Sequence, residues 1–451
     1  MKKITAVSLL LFCVPAFSNA QTIFTDSMKA EMQAKVKDAV RHAWKGYKQY
    51  AWGADELKPL TREPKNWYQH SMLMTPIDAF DTFVLLGLQP EAKEAKDIIL
   101  QKLDFNVNQE VQVFEITIRL LGGLLSAYEL DGDKRFLSLA ENLGKKLMPC
   151  FRSPTGMPYR FVNLATGAIR DSANNPAEIG TLMLELGKLS RLTGKNEYYH
   201  TAKLAFLSVY NRRSDIDLVG ETINVNTGNW ISMQSHISGY IDSYYEYLYK
   251  SWILFGDRAF KDAWDISAAA IKKYLIRKQD NGWFCTHVDM NTGVETASTY
   301  GALDAFIAGL MAYSGDIQTA KEMQRANYAM WTKFNMEPEQ FNFKTDSLLS
   351  ADYVLRPENL ESCFYLYNFT KDQQYLFAAK RMVEDILTHC YNDVGFASLK
   401  SVTTFEKVNS MPSFLFAETL KYAYLIFAPC NTIDLRKTVL TTEAHPFKII
   451  K

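Results

Sequence analysis

The sequence predicts an all-α fold, a toroid of α-helical hairpins, on two observations. A helix, a short polar turn and a second helix recur down the chain at a spacing of roughly sixty residues. Within each pair the helix before the turn is apolar nearly all round and the helix after it is amphipathic, which predicts an inner and an outer ring.

The repeats can be taken in order. DAFDTFVLLGLQPEAKEAKDII (78–99) opens the series, and LLGGLLSAYELDGDKRFLSLAENL (120–143), LMLELGKLSRLTGKNEYYHTAKLA (182–205) and YEYLYKSWILFGDRAFKDAW (245–264) follow. Each carries apolar residues at i, i+3, i+4 and i+7 on both sides of a Gly turn. FIAGLMAYSGDIQTAKEM (306–323) repeats the pattern, as does ESCFYLYNFTKDQQYLFAAKRM (361–382), where Lys371 replaces the Gly. With AETLKYAYLIFAP (417–429) last, six or seven hairpins fit. FVNLATGAI (161–169) and GETINVNTGNW (220–230) read as short β-hairpins on the rim. An open solenoid would give the same repeat, so closure into a ring is a further step.

The chain opens with Lys2 and Lys3, runs apolar from Ile4 to Phe17 and reaches the small residues Ser18, Asn19 and Ala20. This is the pattern of a cleaved signal peptide over residues 1–20, with residues 21–451 as one domain. Nothing suggests a membrane span, because no later segment sustains roughly eighteen apolar residues. The expected location is secreted or periplasmic, and an ER lumen is disfavoured because no retention tetrapeptide ends the sequence. Lys plus Arg and Asp plus Glu balance at 50 each, which excludes the single-sign field of a nucleic-acid binder. Removing Cys13 with the leader leaves Cys150, Cys285, Cys363, Cys390 and Cys430, which are widely spaced, so a thiol-zinc site is not expected; one disulfide is possible, and the odd count means at least one free thiol or an intermolecular bond.

The chemistry lies in carboxylates on helices that should be apolar, where an ionised group costs several kcal/mol unless it is paired or solvated. Glu115 and Arg119 stand at i, i+4 in VFEITIRLLGGLLSAY (113–128), where a buried salt bridge is the alternative reading. Asp242 precedes the apolar run 243–252, where an N-cap is the alternative, and Glu246 follows it one turn on. Pro357 suits a first helical position, which puts Glu358 in the first turn and Glu361 on the same face. The helix dipole and Arg356 should favour the charged form of Glu358 and hence a base. Glu185 lies in an apolar helix, and Phe414 and Glu418 share a face. Acids presented from the same end of hairpin after hairpin, with aromatic platforms, are what glycoside cleavage requires.

These blocks make the sequence one that resembles glycoside hydrolase family 47, the class I α-1,2-mannosidases. YAWGADELKPL (50–60), PIDAFDTFVLLGL (76–88), VFEITIRLLGGLLSAYEL (113–130), DSYYEYLYKSW (242–252), YVLRPENLESCFYLY (353–367), MPSFLFAETLKYAYLIF (411–427) and TTEAHP (441–446) stand in the family's order. INVNTGNW (223–230) and LDAFIAGLMAYSGD (303–316) are most similar to the ER degradation-enhancing α-mannosidase-like branch. The resemblance implies an (α/α)7 barrel, a bound Ca2+, and inverting hydrolysis of terminal α-1,2-linked mannose from an oligosaccharide or glycoprotein.

It further implies that Glu115 is the general acid, acting through a water, that Glu358 is the base, and that Asp242 is the third acidic residue of the catalytic site, its share of the acid work left open. Arg119, Glu185, Arg356, Glu361 and Glu418 would hold the sugar or the calcium-bound waters, Phe414 would lie beneath the mannose ring, and Thr442 would ligate the metal. Two departures stand out. STYGALDAFIAGL (298–310) lacks the His and Cys of the processing enzymes, so their disulfide is not expected, and Tyr240 stands where those enzymes use Arg or another residue that helps select the glycan branch. The competing reading from the same branch is a mannose-recognition protein with weak or no hydrolysis. Another linkage specificity on the same toroid is a third.

Overall fold

The computed structural model describes residues 23–449. The predicted signal peptide, residues 1–20, lies outside the described residues. Helix α1 (Asp26–Tyr50) starts at Thr25, whose hydroxyl accepts the Met28 amide, and buries the stripe Met32, Val36, Val40, Ala43 and Tyr47. Gly46 lets this helix meet the chain at Val394: a Cβ there would stand 1.6 Å from the Val394 carbonyl oxygen.

Hairpins then alternate inward and outward. Helices α2 (Met74–Leu86) and α3 (Gln89–Lys102) form the first. The second is α4 (Val113–Ile116), a π-helical turn over Thr117–Leu121 and α5 (Gly122–Asp131), paired with α6 (Lys134–Leu147). The third joins α7 (Pro176–Gly180) and α8 (Met183–Thr193) to α9 (Asn196–Tyr210). Next come α10 (Asp242–Phe255) with α11 (Arg258–Ala270), α12 (Phe306–Tyr313) with α13 (Ile317–Phe334), and α14 (Glu358–Thr370) with α15 (Gln374–His389). At the turn of the last pair Lys371 takes the left-handed conformation, φ 59°, that its neighbours give to Gly.

The seventh inner element is a π turn over Leu415–Thr419 followed by α16 (Leu420–Leu425), and its outer partner is α1 from the other end of the chain. The inner ring closes where Leu415–Thr419 packs against α2. The fold is thus an (α/α)7 barrel, and closure distinguishes it from an open solenoid. Among the described residues the five cysteines are all unpaired, four of them buried.

The rim is more regular than expected. Four three-stranded antiparallel sheets sit at the end where the inner helices begin. Two contain the expected hairpins, Phe161–Asn163 with Ile169–Arg170 and Thr222–Asn224 with Trp230–Ser232. Two more are built on His287–Asp289 and Gln340–Asn342. In each hairpin one side chain, Asn163, Asn224, Asp289 or Asn342, accepts the amides two and three residues on, which fixes the same loop four times. At the far end the hairpin Thr438–Leu440 with Pro446–Lys448 inserts its turn, residues 441–445, into the barrel.

Candidate active site

Because every inner helix starts at the rim, the acids in their first turns converge beside partially positive helix termini. Glu115, Asp242 and Glu358 line one cavity of about 470 Å3, together with Arg119, Arg356, Glu361, Phe414, Glu418 and Thr442. Glu185, also singled out from sequence, is fully buried one layer behind the wall. Tyr247 links it to the cavity floor: its hydroxyl donates to Glu185 Oε1 at 2.6 Å and accepts the Thr442 amide at 3.2 Å.

The two arginines are held differently. Arg119 donates through Nε to Glu115 Oε2 at 2.9 Å and through Nη1 to Glu443, with Asp78 3.6 Å away. The salt bridge expected as an alternative is therefore present, yet it sits in the cavity wall. Arg119 lies between Trp67 and Phe414, 5.3 and 5.7 Å from the ring centres. Its π turn and the one carrying Glu418 each insert an extra residue into an inner helix, which re-aims these side chains. Arg356 forms a two-pronged pair with Glu339 and stands 3.8 Å from Glu358.

That geometry corrects the electrostatic expectation for Glu358. Burial pushes its carboxyl up to about 7 against the pull of Arg356, because Arg356 spends its fork on Glu339, and Glu358 Oε2 has no hydrogen-bond partner. Burial likewise lifts Asp242 to about 6, despite the Ser243 amide and hydroxyl that donate to its Oδ1. Glu185 is pushed to about 8 by burial. Glu361, Glu418 and Glu443 are raised by burial first; neighbouring carboxylates add to each, while Lys250 opposes at Glu361 and Arg119 at the other two.

Beneath the floor a second charged cluster fixes the inserted turn. His445 Nδ1 lies 2.7 Å from Asp81 Oδ2, and Lys421 meets Asp81 Oδ1 at 2.8 Å while donating to the Ala444 carbonyl at 2.8 Å. Burial opposes these charges, but they sustain each other: Asp81 is held down at about 2 and His445 is raised to about 9.

Several residues of the site escaped the sequence reading. Glu178 lines the cavity, gripped by a two-pronged bond from Arg160 and by Gln112 Nε2. Glu443 completes the lower acidic layer beside Glu246, which the sequence already placed one turn after Asp242 and which binds Lys250. The signals were weak: Glu178 follows an Asn-Pro helix start, where an acid is ordinary, and Glu443 lies in a turn rather than in an apolar helix.

Residues 39–449 match the family described as Glycosyl hydrolase family 47. "ER degradation-enhancing alpha-mannosidase-like protein 1" of Schizosaccharomyces pombe is 33% identical over 476 residues, covering all of this chain and 60% of that protein's length. "Mannosyl-oligosaccharide 1,2-alpha-mannosidase IA" of Sus scrofa is 33% identical over 98% of this chain and 71% of its own. Among solved structures, the alpha-1,2-mannosidase from Trichoderma reesei superposes with a TM-score of 0.87 at 27% identity, covering 93% of this chain and 99% of that one. With the barrel and its ring of carboxylates, these likenesses make the chain a member of glycosyl hydrolase family 47 and a glycoside hydrolase.

Proposed function

We propose that the protein is a calcium-dependent, inverting exo-α-mannosidase that removes terminal α-1,2-linked mannose from high-mannose N-glycans or related mannosides. The observation that carries this reading is the convergence of Glu115, Asp242 and Glu358 from three inner helices on one cavity that also holds Arg119, Arg356 and Phe414. The turn 441–445 inserted at the far end of the barrel suits a site that takes a chain end rather than a chain interior. In this reading Glu358 activates the water that attacks the anomeric carbon. Glu115 supplies the leaving-group proton through a second water, and Asp242 shares the acid side of the site. Phe414 lies beneath the sugar ring.

The residues around Thr442 fit a calcium ion. Glu185 Oε2 is buried without a hydrogen-bond partner, and Glu361, Glu418 and Glu443 are all raised by burial in one small volume. A divalent cation would offset that crowding. Thr442 would bind it directly, and the carboxylates would hold the waters that complete a shell of about six to eight oxygens. The ion would supply a fixed positive charge for sugar hydroxyls. The leader over residues 1–20 supports export from the cytoplasm, to the periplasm or the medium.

The test is release of free mannose from α-1,2-mannobiose and from a high-mannose N-glycan, and its loss with excess EDTA. Stability supplies a second check. Glu185 in the folded, metal-free protein keeps its proton up to about 8, against an ordinary value of 4.5. Its contribution is therefore full below about 4.5 and is lost as pH rises through about 8. The EDTA-treated protein should lose Tm between pH about 5 and about 8, and millimolar calcium should raise Tm more at the higher pH, as read by differential scanning fluorimetry.

A further inference from the structure

The loop that delivers Asp242 to the cavity, residues 235–241, is anchored by groups that lie outside the cavity. Tyr240 in this loop takes φ 76°, an unfavourable conformation for a bulky residue, and it persists only if its surroundings impose it. Ser238 carries the constraint. Its carbonyl accepts the amides of Ile241 at 3.1 Å and Asp242 at 3.0 Å, and its hydroxyl donates to Asp304 Oδ1 at 2.6 Å. Asp304, buried at 3% exposure, accepts the Gly301 amide on its other oxygen at 2.9 Å.

Two histidines complete the clamp. The Ser238 amide donates to His236 Nδ1 at 3.2 Å, which leaves the proton on Nε2, facing Glu221 Oε1 at 3.5 Å. His236 stacks on His287 with ring centres 4.2 Å apart. His287 Nε2 lies 3.4 Å from the Ser238 hydroxyl, whose own proton goes to Asp304, so the imidazole is the donor. A serine, a histidine and an aspartate thus meet in the order imidazole, hydroxyl, carboxylate. That order fixes a hydroxyl and does not activate one, which rules against a serine nucleophile. The Asp304 turn also reaches the other side of the cavity. The Ala302 amide donates to the Pro338 carbonyl at 3.1 Å, next to Glu339, which grips Arg356.

We propose that Asp304 and Ser238 are positioning residues for Asp242, clamping the loop so that the Asp242 carboxyl keeps its place opposite Arg356 and Glu358. The proposal rests on the reading of Asp242 as a working carboxylate of the site. Replacing Ser238 or Asp304 should displace that carboxyl without removing it, so turnover should suffer more than binding.

The experiment compares Ser238→Ala, Asp304→Asn, the double variant, Ser238→Thr and Asp242→Asn in steady-state release of mannose from α-1,2-mannobiose. Ser238→Ala and Asp304→Asn should lower kcat roughly 10- to 100-fold with KM little changed. The double variant should be no worse than the more impaired single, because both substitutions act on the Ser238–Asp304 pair. Ser238→Thr, which keeps the hydroxyl, should restore most of the turnover. Amide exchange over residues 238–244 reads the clamp whether or not mannose is released, and Ile241 and Asp242 should exchange faster in the first two variants. Wild-type kcat in both single variants while Asp242→Asn is inactive overturns the proposal, as does unchanged exchange. An inactive wild type, or a fully active Asp242→Asn, overturns the functional reading instead.

Discussion

Glu358→Gln is expected to lower kcat for mannose release by roughly 10³-fold, within the range by which general bases contribute, with KM little changed. The amide keeps the shape of the side chain and its contact with Arg356 but cannot take a proton from water. Glu358 Oε2 is buried and lacks a hydrogen-bond partner, so the atom is free to hold an attacking water. Burial also places its pKa at about 7, where a base is half ionised and strong enough to matter. Steady-state kinetics on α-1,2-mannobiose checks this, and a variant that retains wild-type kcat removes Glu358 from the role of base.

Arg119→Met is expected to cost about 3–5 kcal/mol of stability, the usual result of stripping one partner from a buried ion pair. Arg119 is 7% exposed and faces Glu115, Glu443 and Asp78, so its loss leaves three carboxylates without their shared cation. Methionine keeps the aliphatic stem and removes the guanidinium that lies between Trp67 and Phe414, so the loss reports on the charge and its ring contacts more than on the volume of the stem. Protonation relieves the stranded acids, and the deficit in Tm against wild type should therefore shrink as pH falls from about 8 to about 5. An equal deficit at both pH values would show that packing, not charge, is what Arg119 provides.

Most of the ring could be read from sequence because its signals are local. The Gly turns, the Lys371 turn and the contrast between apolar and amphipathic helices each lie within a few residues of what they specify. The seventh pair could not be assembled this way. Its inner helix α16 and outer helix α1 stand at opposite ends of the chain, and only the closed ring brings them together. The same limit applies within the site. Glu115, Asp242 and Glu358 betrayed themselves as charges at the starts of apolar helices, whereas Glu178 and Glu443 sit in a short helix and a turn where an acid is unremarkable. The π turns under Arg119 and Glu418 left no trace in composition, since an extra residue in a helix is a product of packing rather than of propensity. Glu358 shows the reverse error: the dipole and Arg356 were legible, but the pairing of Arg356 with Glu339 and the depth of burial were not.

Inverting, calcium-dependent hydrolysis is tested most directly by proton NMR of a fresh digest of α-1,2-mannobiose or a methyl α-1,2-mannobioside, followed from the first minutes with calcium and again with excess EDTA. Mannose should appear first as the β-anomer, the inverted product of single displacement by water, and EDTA should abolish its appearance. Mannose appearing first as the α-anomer, or release that EDTA leaves untouched, would contradict it.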